Sequence, residues 1–93
     1  MLHLVFTLSD RTLFHRLDKD NDVVIFFENA ILHLLKKSYF EEAILALRQC
    51  YVLEDGLICR GISDDELIDG VMRISYAQFV TMTVNNTPIQ TWY

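Results

Sequence analysis

The clearest strand-to-helix transition in this sequence lies within residues 48–61, which read RQCYVLEDGLICRG. The apolar run Cys50–Leu53 predicts a buried strand. Glu54 and Asp55 follow it, and acidic residues are favoured in the first turn of a helix. Gly61 predicts the end of that helix, because glycine readily adopts the left-handed backbone conformation found there. The stretch therefore predicts a buried strand, a tight acidic turn and one short helix.

Three further apolar segments predict strands on either side of this transition. Leu2–Phe6 and Val23–Phe27 come before it, and Val71–Ile74 comes after it. Val23–Phe27 is continuously apolar, as are strands of parallel sheets that are covered on both faces. The predicted strands end roughly twenty residues apart, which leaves room for a helix in each interval, as βαβ units require.

The predicted helices fill these intervals and carry recognisable end signals. Three segments have the capping-box spacing that begins a helix, Ser38–Glu41, Ser63–Glu66 and Ser75–Gln78. The last helix is predicted to turn one face towards the core, and the tail Ile89–Tyr93 is predicted to form no regular element. The predicted helical segments run from about Asp10 to Leu17, Ala30 to Lys37, Ser38 to Leu47, Glu54 to Arg60 and Ser63 to Ile68. The inner face of the last helix is predicted to consist of Tyr76, Phe79, Val80 and Thr83.

These elements predict one domain, residues 1–93, of the α/β class. The architecture is a small open parallel four-stranded sheet with helices on both faces, in the flavodoxin-like style. Such a sheet has two open edges, which proteins usually protect, and the partners of an oligomer are one means of doing so. The chain is 52% apolar, at the top of the ordinary range, which also favours a surface covered by another subunit.

The charge and cysteine content narrow the classes of function. The net charge is −5, and no run of basic residues is longer than Lys36-Lys37, so direct nucleic acid binding is not expected. Val23–Phe27, the longest apolar tract, is far shorter than the ~20 residues of a membrane span. No signal peptide is recognisable, and two cysteines form no disulfide framework. We expect a cytoplasmic protein that has no membrane association.

Side chains at the carboxyl ends of the strands are the first place to look for chemistry in such a sheet. No glycine-rich turn is present there, so no cofactor is expected. Glu28, Glu54 and Asp55 have two interpretations: ordinary acids in the first turns of helices, which we favour, or a receiver-like pocket for a cation. The histidines are not spaced as metal ligands and neither cysteine has a CxxC partner, so no metal site is expected.

The two cysteines decide whether the chain can carry sulfur itself. Cys50 falls in the middle of a predicted strand, where a small buried hydrophobic residue is expected. Cys59 falls in the last turn of its helix, where the negative end of the helix dipole disfavours a thiolate. Arg60 offsets that effect only if its side chain turns back. We therefore expect no catalytic residue, with Cys59 as the fallback.

Several segments together resemble one known family, in the same order along nearly the whole chain. They are Met1-Leu2-His3, Val24–Asn29, Tyr51–Ile58 with Arg60-Gly61, Ile74–Val80 with Thr83, and Trp92. The family is the TusB/DsrH family of sulfur-relay subunits. Ala30 departs from the pattern, since relatives usually have glycine at this position. The difference affects only the expected backbone geometry of the turn after the second strand.

The resemblance implies a DsrEFH-like fold and a place in a TusB–TusC–TusD type complex, a heterohexamer built as a dimer of heterotrimers. Such complexes pass persulfide sulfur towards 2-thiolation of the wobble uridine in certain tRNAs. The reactive cysteine then belongs to the TusD-like subunit, and TusC-like and TusD-like chains are the expected partners. The DsrH branch carries a cysteine in the first helix, and its absence between Ser9 and Asn21 favours the TusB branch.

Four functions remain open at this stage. The first is a non-catalytic structural and docking subunit of a TusBCD-type relay, and the second is a DsrH-like subunit of a sulfur-oxidation complex. The third is a sulfurtransferase that carries persulfide on Cys59, and the fourth is a cation-dependent signalling domain. Tyr76 and Trp92 are candidate interface residues because aromatic side chains are enriched at interfaces, although the spacing of Tyr76 suits a core position equally well.

Overall fold

A computed structural model describes residues 1–93 as a parallel β-sheet with helices on both faces. The sheet has five strands in the order β4-β3-β2-β1-β5, and every neighbouring pair is parallel. The predicted α/β, flavodoxin-like fold is confirmed, with one strand more than predicted. The strands are β1 (Leu2–Val5), β2 (Val23–Phe26), β3 (Gln49–Leu53), β4 (Val71–Ile74) and β5 (Ile89–Trp92).

The fifth strand is formed by the tail that was predicted to lack regular structure. β5 pairs with β1 in the register Leu2↔Ile89 to Val5↔Trp92, and the Phe6 N–H donates to the Trp92 carbonyl oxygen at 2.8 Å. The prediction of four strands was wrong because this segment contains polar Gln90 and makes its hydrogen bonds to residues at the other end of the chain. β5 therefore extends the sheet beyond β1 and becomes an edge strand itself, so the two edges of the sheet are β4 and β5.

The helical segments are shorter than predicted. The segment predicted as a helix from Ala30 to Lys37 is mostly a 3-10 helix, and the one that follows it is a single short helix. The capping box predicted at Ser38 is not formed, because its hydroxyl donates instead to the His33 carbonyl oxygen at 2.6 Å. The boxes at Ser63 and Ser75 are both present. The helices are α1 (Thr12–Arg16), α2 (Glu41–Leu45), α3 (Glu54–Cys59) and α4 (Tyr76–Asn85), with 3-10 helices at Glu28–Leu34 and Asp64–Glu66.

The strand-to-helix transition at residues 48–61 has the predicted form. α3 begins directly after β3, and Gly61 has φ +64°, the left-handed conformation expected beyond the helix end. Gly56 allows the close approach of α3 to the first 3-10 helix, because a Cβ at this position would overlap the Ile31 side chain. The α3 helix is thereby packed tightly against its neighbour through a residue that has no side chain.

β2 lies in the centre of the sheet and is buried along its whole length, as its continuous apolar sequence predicts. Alternate residues of the strands point to opposite sides of the sheet. We call the side covered by α1, α2, α3 and the 3-10 helix Glu28–Leu34 the first face. Its core contains fifteen buried residues, including Val5, Val24, Phe26, Cys50 and Val52 from the strands and Leu13, Ile31, Leu34, Ile44 and Leu57 from the helical segments.

The opposite side of the sheet, which we call the second face, is covered by α4 alone. Phe79 and Met82 of α4 pack against a smaller core that contains five buried residues, and the Phe79 ring meets Phe27 edge-on at 5.1 Å. Tyr76 and Val80 are 62% and 43% exposed, so their predicted place on the inner face of this helix was wrong. The five buried residues are Leu2, Val23, Ile25, Phe27 and Ile74.

Candidate functional site

Cys50 lies in the middle of β3 and is buried in the core of the first face, as predicted. Burial raises the pKa of its thiol to about 12, because the surrounding apolar side chains solvate a thiolate poorly. At neutral pH the side chain is therefore a neutral thiol that is inaccessible to a sulfur donor. In this environment Cys50 acts as a small packing residue and has no nucleophilic character.

Cys59 is exposed in the last turn of α3, the position in the helix that the sequence predicted for it, and whether its thiol is inert stays a prediction. Arg60, the next residue, turns back along its own helix, and its Nη1 donates to the Gly56 carbonyl oxygen at 3.4 Å. The guanidinium group thus complements carbonyl groups at the end of α3. Of the two thiols, Cys59 is the one that reagents in solution can reach.

Glu54, at the carboxyl end of β3, forms an ion pair with an arginine that also pairs with Asp64 in the second 3-10 helix. Arg73 in β4 contacts Glu54 at 3.0 Å and Asp64 at 2.8 Å. These carboxylates, Asp64 foremost, raise the pKa of Arg73 above its usual range. Glu28, the first residue of the 3-10 helix that follows β2, has a φ of +51°. The structure brings together no group of three or more histidine, cysteine or acidic side chains that could hold a metal ion.

A buried histidine in β1 that the sequence did not single out contacts both the edge strand β5 and the residue that precedes β2. His3 in β1 accepts a hydrogen bond at Nδ1 from the Trp92 indole N–H at 3.1 Å, and its Nε2 lies 2.9 Å from Asp22 Oδ2. An indole nitrogen can only donate, so Nδ1 carries no proton and Nε2–H donates to the carboxylate. No local sequence signal predicts this contact between residues 89 positions apart.

Asp22 receives several hydrogen bonds at this end of the sheet. Partial burial acts to raise its pKa, but hydrogen bonds from the Asp18 N–H, from His3 and from the Met1 amino group outweigh burial and lower the pKa to about 2. The carboxylate is therefore charged throughout the physiological range. Trp92 is half-buried and Arg16 lies over its ring at 6.0 Å, beside a cavity of about 270 Å³. These contacts hold β5 against β1.

The larger cavity is an open groove of about 530 Å³ between α4 and the second face of the sheet. Tyr51 and Ile74 from the strands and Ala77, Thr81 and Met82 from α4 are among its lining residues. Its walls carry hydroxyl, amide and apolar groups and no ionisable side chain other than the phenol of Tyr51.

The structure separates the two predicted interface residues. Tyr76 is exposed at the start of α4, whereas Trp92 is half-buried and hydrogen-bonded to His3. Their role in an interface stays a prediction. No helix of the chain combines the length and the hydrophobicity that a membrane crossing requires.

The fold and these side chains define an α/β protein that has a five-stranded parallel sheet with one buried and one exposed thiol. The model of the DsrH like protein family matches residues 6–89. The chain therefore belongs to the DsrH-like family, as the resemblance to TusB/DsrH proteins predicted. Membership of this family supports a general role as a subunit of the sulfur-relay type.

The fold has counterparts among solved structures. One is the protein of unknown function MTH1491 from Methanobacterium thermoautotrophicum, which superimposes with a TM-score of 0.71. The comparison covers 97% of this chain and 95% of that chain, at 14% sequence identity. At this identity the similarity shows a shared fold. No curated protein sequence matches this chain.

Proposed function

We propose that this chain is a non-catalytic structural subunit of a TusBCD-type sulfur-relay complex. In this role it is cytoplasmic and assembles with TusC-like and TusD-like subunits as a dimer of heterotrimers. The complex passes persulfide sulfur towards 2-thiolation of the wobble uridine in tRNA. The observation that carries the non-catalytic role is the placement of the two thiols: Cys50 is buried in the core, and Cys59 lies at the carboxyl end of α3, where the helix dipole disfavours a thiolate.

Two features of the structure support a contribution through contact area. The outer edge of β4 has no strand paired to it, and unpaired edges are commonly covered by another chain. The second face also has a single covering helix, which leaves an open groove. Both features suit a subunit whose surfaces are completed by partners.

The TusB branch is favoured over the DsrH branch by the composition of the first helix. The α1 helix, Thr12–Arg16, and the loops that flank it contain no cysteine, whereas the DsrH branch carries one in this helix. A DsrH-like role in sulfur oxidation would need a reactive thiol that this segment does not supply. We therefore assign the relay to tRNA thiolation.

The test is co-expression with TusC-like and TusD-like chains from the same genome, followed by native mass spectrometry. We expect one complex that contains all three chains in equal numbers. A well-behaved monomer that binds neither chain would contradict the proposal. Measuring 2-thiouridine in tRNA from a strain that lacks this chain then tests the end use: we expect it to be lost, and its retention together with a defect in sulfur oxidation would favour the DsrH-like role.

The exposure of Cys59 favours a second candidate function, a sulfurtransferase that carries persulfide on this residue. Alkylation kinetics separate the two functions. A Cys59 thiol that reacts much faster than free cysteine at neutral pH supports the sulfurtransferase, and a rate like that of free cysteine supports the structural role. Cys50→Ala is the matched control, because removal of the buried thiol leaves the measured rate unchanged if the reaction takes place at Cys59.

A further inference from the structure

His3 is the one buried residue of this chain that has a polar side chain. The ring is 2% exposed, and both of its nitrogens are engaged: Nδ1 accepts from the Trp92 indole N–H, and Nε2–H donates to Asp22. The proposed function uses neither contact. Histidine is the side chain whose charge changes most readily near neutral pH, so a buried imidazole that joins two elements can make their contact depend on pH.

The hydrogen bond from Trp92 requires the neutral form of His3. An indole N–H can only donate, whereas a protonated imidazole carries a hydrogen on both of its nitrogens. Protonation at Nδ1 therefore points one N–H at another, between nitrogens that are 3.1 Å apart. A buried donor without an acceptor is costly, so the charged form of His3 and the bound position of the indole exclude each other.

The hydrogen bond from His3 to Asp22 is compatible with both forms of the ring. Hydrogen bonds lower the pKa of Asp22 to about 2, so this side chain is a carboxylate at every pH at which His3 changes charge. Nε2 carries a hydrogen before and after protonation and keeps donating to that carboxylate. The change is therefore confined to Nδ1, the side of the ring that meets Trp92.

Few charged groups surround this ring, and they act in opposite directions. The Asp22 carboxylate, 2.9 Å from Nε2, favours the charged form of His3. Two cations oppose it: the Met1 amino group, which is itself paired with Asp22, and Arg16 of α1, which lies over the Trp92 ring. The strand residues paired with His3 are uncharged. The charged groups that face His3 are thus Asp22, the Met1 amino group, Arg16 and, through its bonds around Asp22, Asp18; the paired strand residues are Val24 and Gln90.

Trp92 is the side chain that attaches β5 to the body of the protein. β5 is an edge strand paired with β1 alone, and none of its four residues is fully buried. Among them only Trp92 packs against the core of the first face. A cavity of about 270 Å³ lies beside the His3 and Trp92 rings and leaves space for the indole to move. Loss of the bond to His3 therefore removes a contact that β5 does not replace elsewhere.

From the opposition of these two N–H groups, we infer that protonation of His3 releases the Trp92 indole and loosens β5, so that this edge of the sheet responds to pH. The inference goes beyond the proposed function. It concerns a contact within this chain and is tested on the purified chain alone, so its failure leaves the assembly of the relay complex untouched.

NMR spectroscopy of the purified chain between pH 8 and pH 5 provides the first test. Trp92 is the only tryptophan, so the spectrum contains one indole N–H signal. We expect the His3 nitrogen shifts to show the Nε2–H form at pH 8, and the indole proton to move upfield as His3 is protonated. In the same transition the hydrogen-exchange protection factors of β5 fall about 3–10-fold, and those of β3 do not change.

Two results of this titration overturn the inference. One is an indole signal and β5 protection that stay constant while His3 becomes charged. The other is a His3 ring that stays neutral down to pH 5. Circular dichroism over the same range establishes that the chain remains folded.

His3→Gln separates the titration of this ring from other effects of pH. Glutamine supplies an acceptor and a donor group but gains no charge, so the pH dependence of β5 protection is expected to disappear. His15→Gln is the matched control, because His15 is exposed on α1 and its substitution leaves the pH dependence unchanged. Persistence of the effect in His3→Gln, or its loss in His15→Gln, overturns the inference.

Trp92→Phe tests the same coupling from the other side. Phenylalanine keeps an aromatic ring and removes the N–H that favours neutral His3. We expect the titration of His3, followed by its ring Hε1 signal, to move to higher pH by roughly 0.5–1 unit relative to the native chain. A titration that does not move, or that moves to lower pH in the folded variant, contradicts the coupling.

Discussion

The two faces of the sheet differ in how they are covered and in how they carry charge. The first face is covered by three α-helices and a 3-10 helix over fifteen buried residues, whereas the second has one helix over five. Every charged residue belongs to the part of the chain before α4, and the helix on the second face has none. The first face therefore supplies most of the buried area that stabilises the fold, and the second is left with surface for contacts.

The largest effect on stability is expected from a truncation in the core of the first face. Leu57 of α3 is completely buried, and Leu57→Ala removes its packing and leaves a cavity. We expect the free energy of unfolding to fall by about 2–5 kcal/mol. Equilibrium unfolding in urea, followed by circular dichroism, measures the loss.

Met82 on the second face provides the matched comparison for Leu57. It is a half-buried residue of α4 that lines the open groove, so Met82→Ala leaves little enclosed space. The expected cost is about 1–2 kcal/mol, because less apolar area returns to water. Equal costs at the two positions would contradict the assignment of the stabilising core to the first face.

The next largest effect is expected at the amino ends of β1 and β2, where Asp22 accepts hydrogen bonds from His3, the Asp18 N–H and the Met1 amino group. Asp22→Asn replaces a carboxylate that charged and neutral donors surround, and we expect a loss of about 1.5–3 kcal/mol near pH 7. The carboxyl group has a lower pKa in the folded chain, about 2, than in the unfolded chain. It therefore contributes stability above about pH 4, and this contribution is lost as the pH falls towards 2.

Unfolding measured between about pH 4 and pH 2 tests the sign of this effect. The difference in unfolding free energy between the native chain and Asp22→Asn is expected to shrink as the pH falls over this range. A difference that grows on acidification in this range would show that Asp22 is not held as a carboxylate by these hydrogen bonds.

A smaller effect is expected at Gly56, where α3 meets the first 3-10 helix. Alanine favours a helix over glycine by about 1 kcal/mol, yet a Cβ here overlaps the terminal methyl group of Ile31, which is fully buried. We expect Gly56→Ala to lower the unfolding free energy by about 1–2 kcal/mol through overpacking.

The double variant Gly56→Ala/Ile31→Val identifies the cause of this loss. Valine lacks the methyl group that the added Cβ would overlap, so the two substitutions together should cost less than the sum of the separate costs. Additive costs would indicate that close packing against Ile31 is not the reason for glycine at this position.

The smallest effect on stability is expected on the exposed side of α4. Val84 is 74% exposed near the carboxyl end of this helix, where a positive charge is compatible with the helix dipole. We expect Val84→Lys to change the unfolding free energy of dilute protein by less than about 0.5 kcal/mol. A large loss in dilute solution would show that this surface is already covered within the single chain.

The sequence predicts the fold where a local pattern and the tertiary environment agree. The apolar run of β2 predicts a central buried strand, and the serine and glutamine that begin α4 form their capping box. β5 was missed because Gln90 weakens its apolar pattern and its partner strand lies at the other end of the chain. The face of α4 was misassigned because two apolar stripes, one through Phe79 and one through Val80, have helical spacing, and only packing selects between them.

The candidate site was predictable only in part, for a related reason. The sequence predicts that Cys50 is buried and inert because it lies in the middle of a strand. It also places Arg60 close enough to the end of α3 for the guanidinium group to bond a carbonyl oxygen of that helix. The link from His3 to Trp92 joins positions at opposite ends of the chain, so no local pattern predicts it. The exposure of Cys59 depends on which side of the short α3 helix faces the core.

In the proposed relay, this chain contributes shape and contact area, and another subunit carries the sulfur. Mass spectrometry of the chain, taken from a reconstituted relay during turnover and trapped with an alkylating agent, tests this most directly. We predict no persulfide on Cys50 or Cys59 and full relay activity for Cys59→Ser. A persulfide on Cys59 that forms and decays at the rate of turnover, with activity lost in Cys59→Ser, would contradict the account.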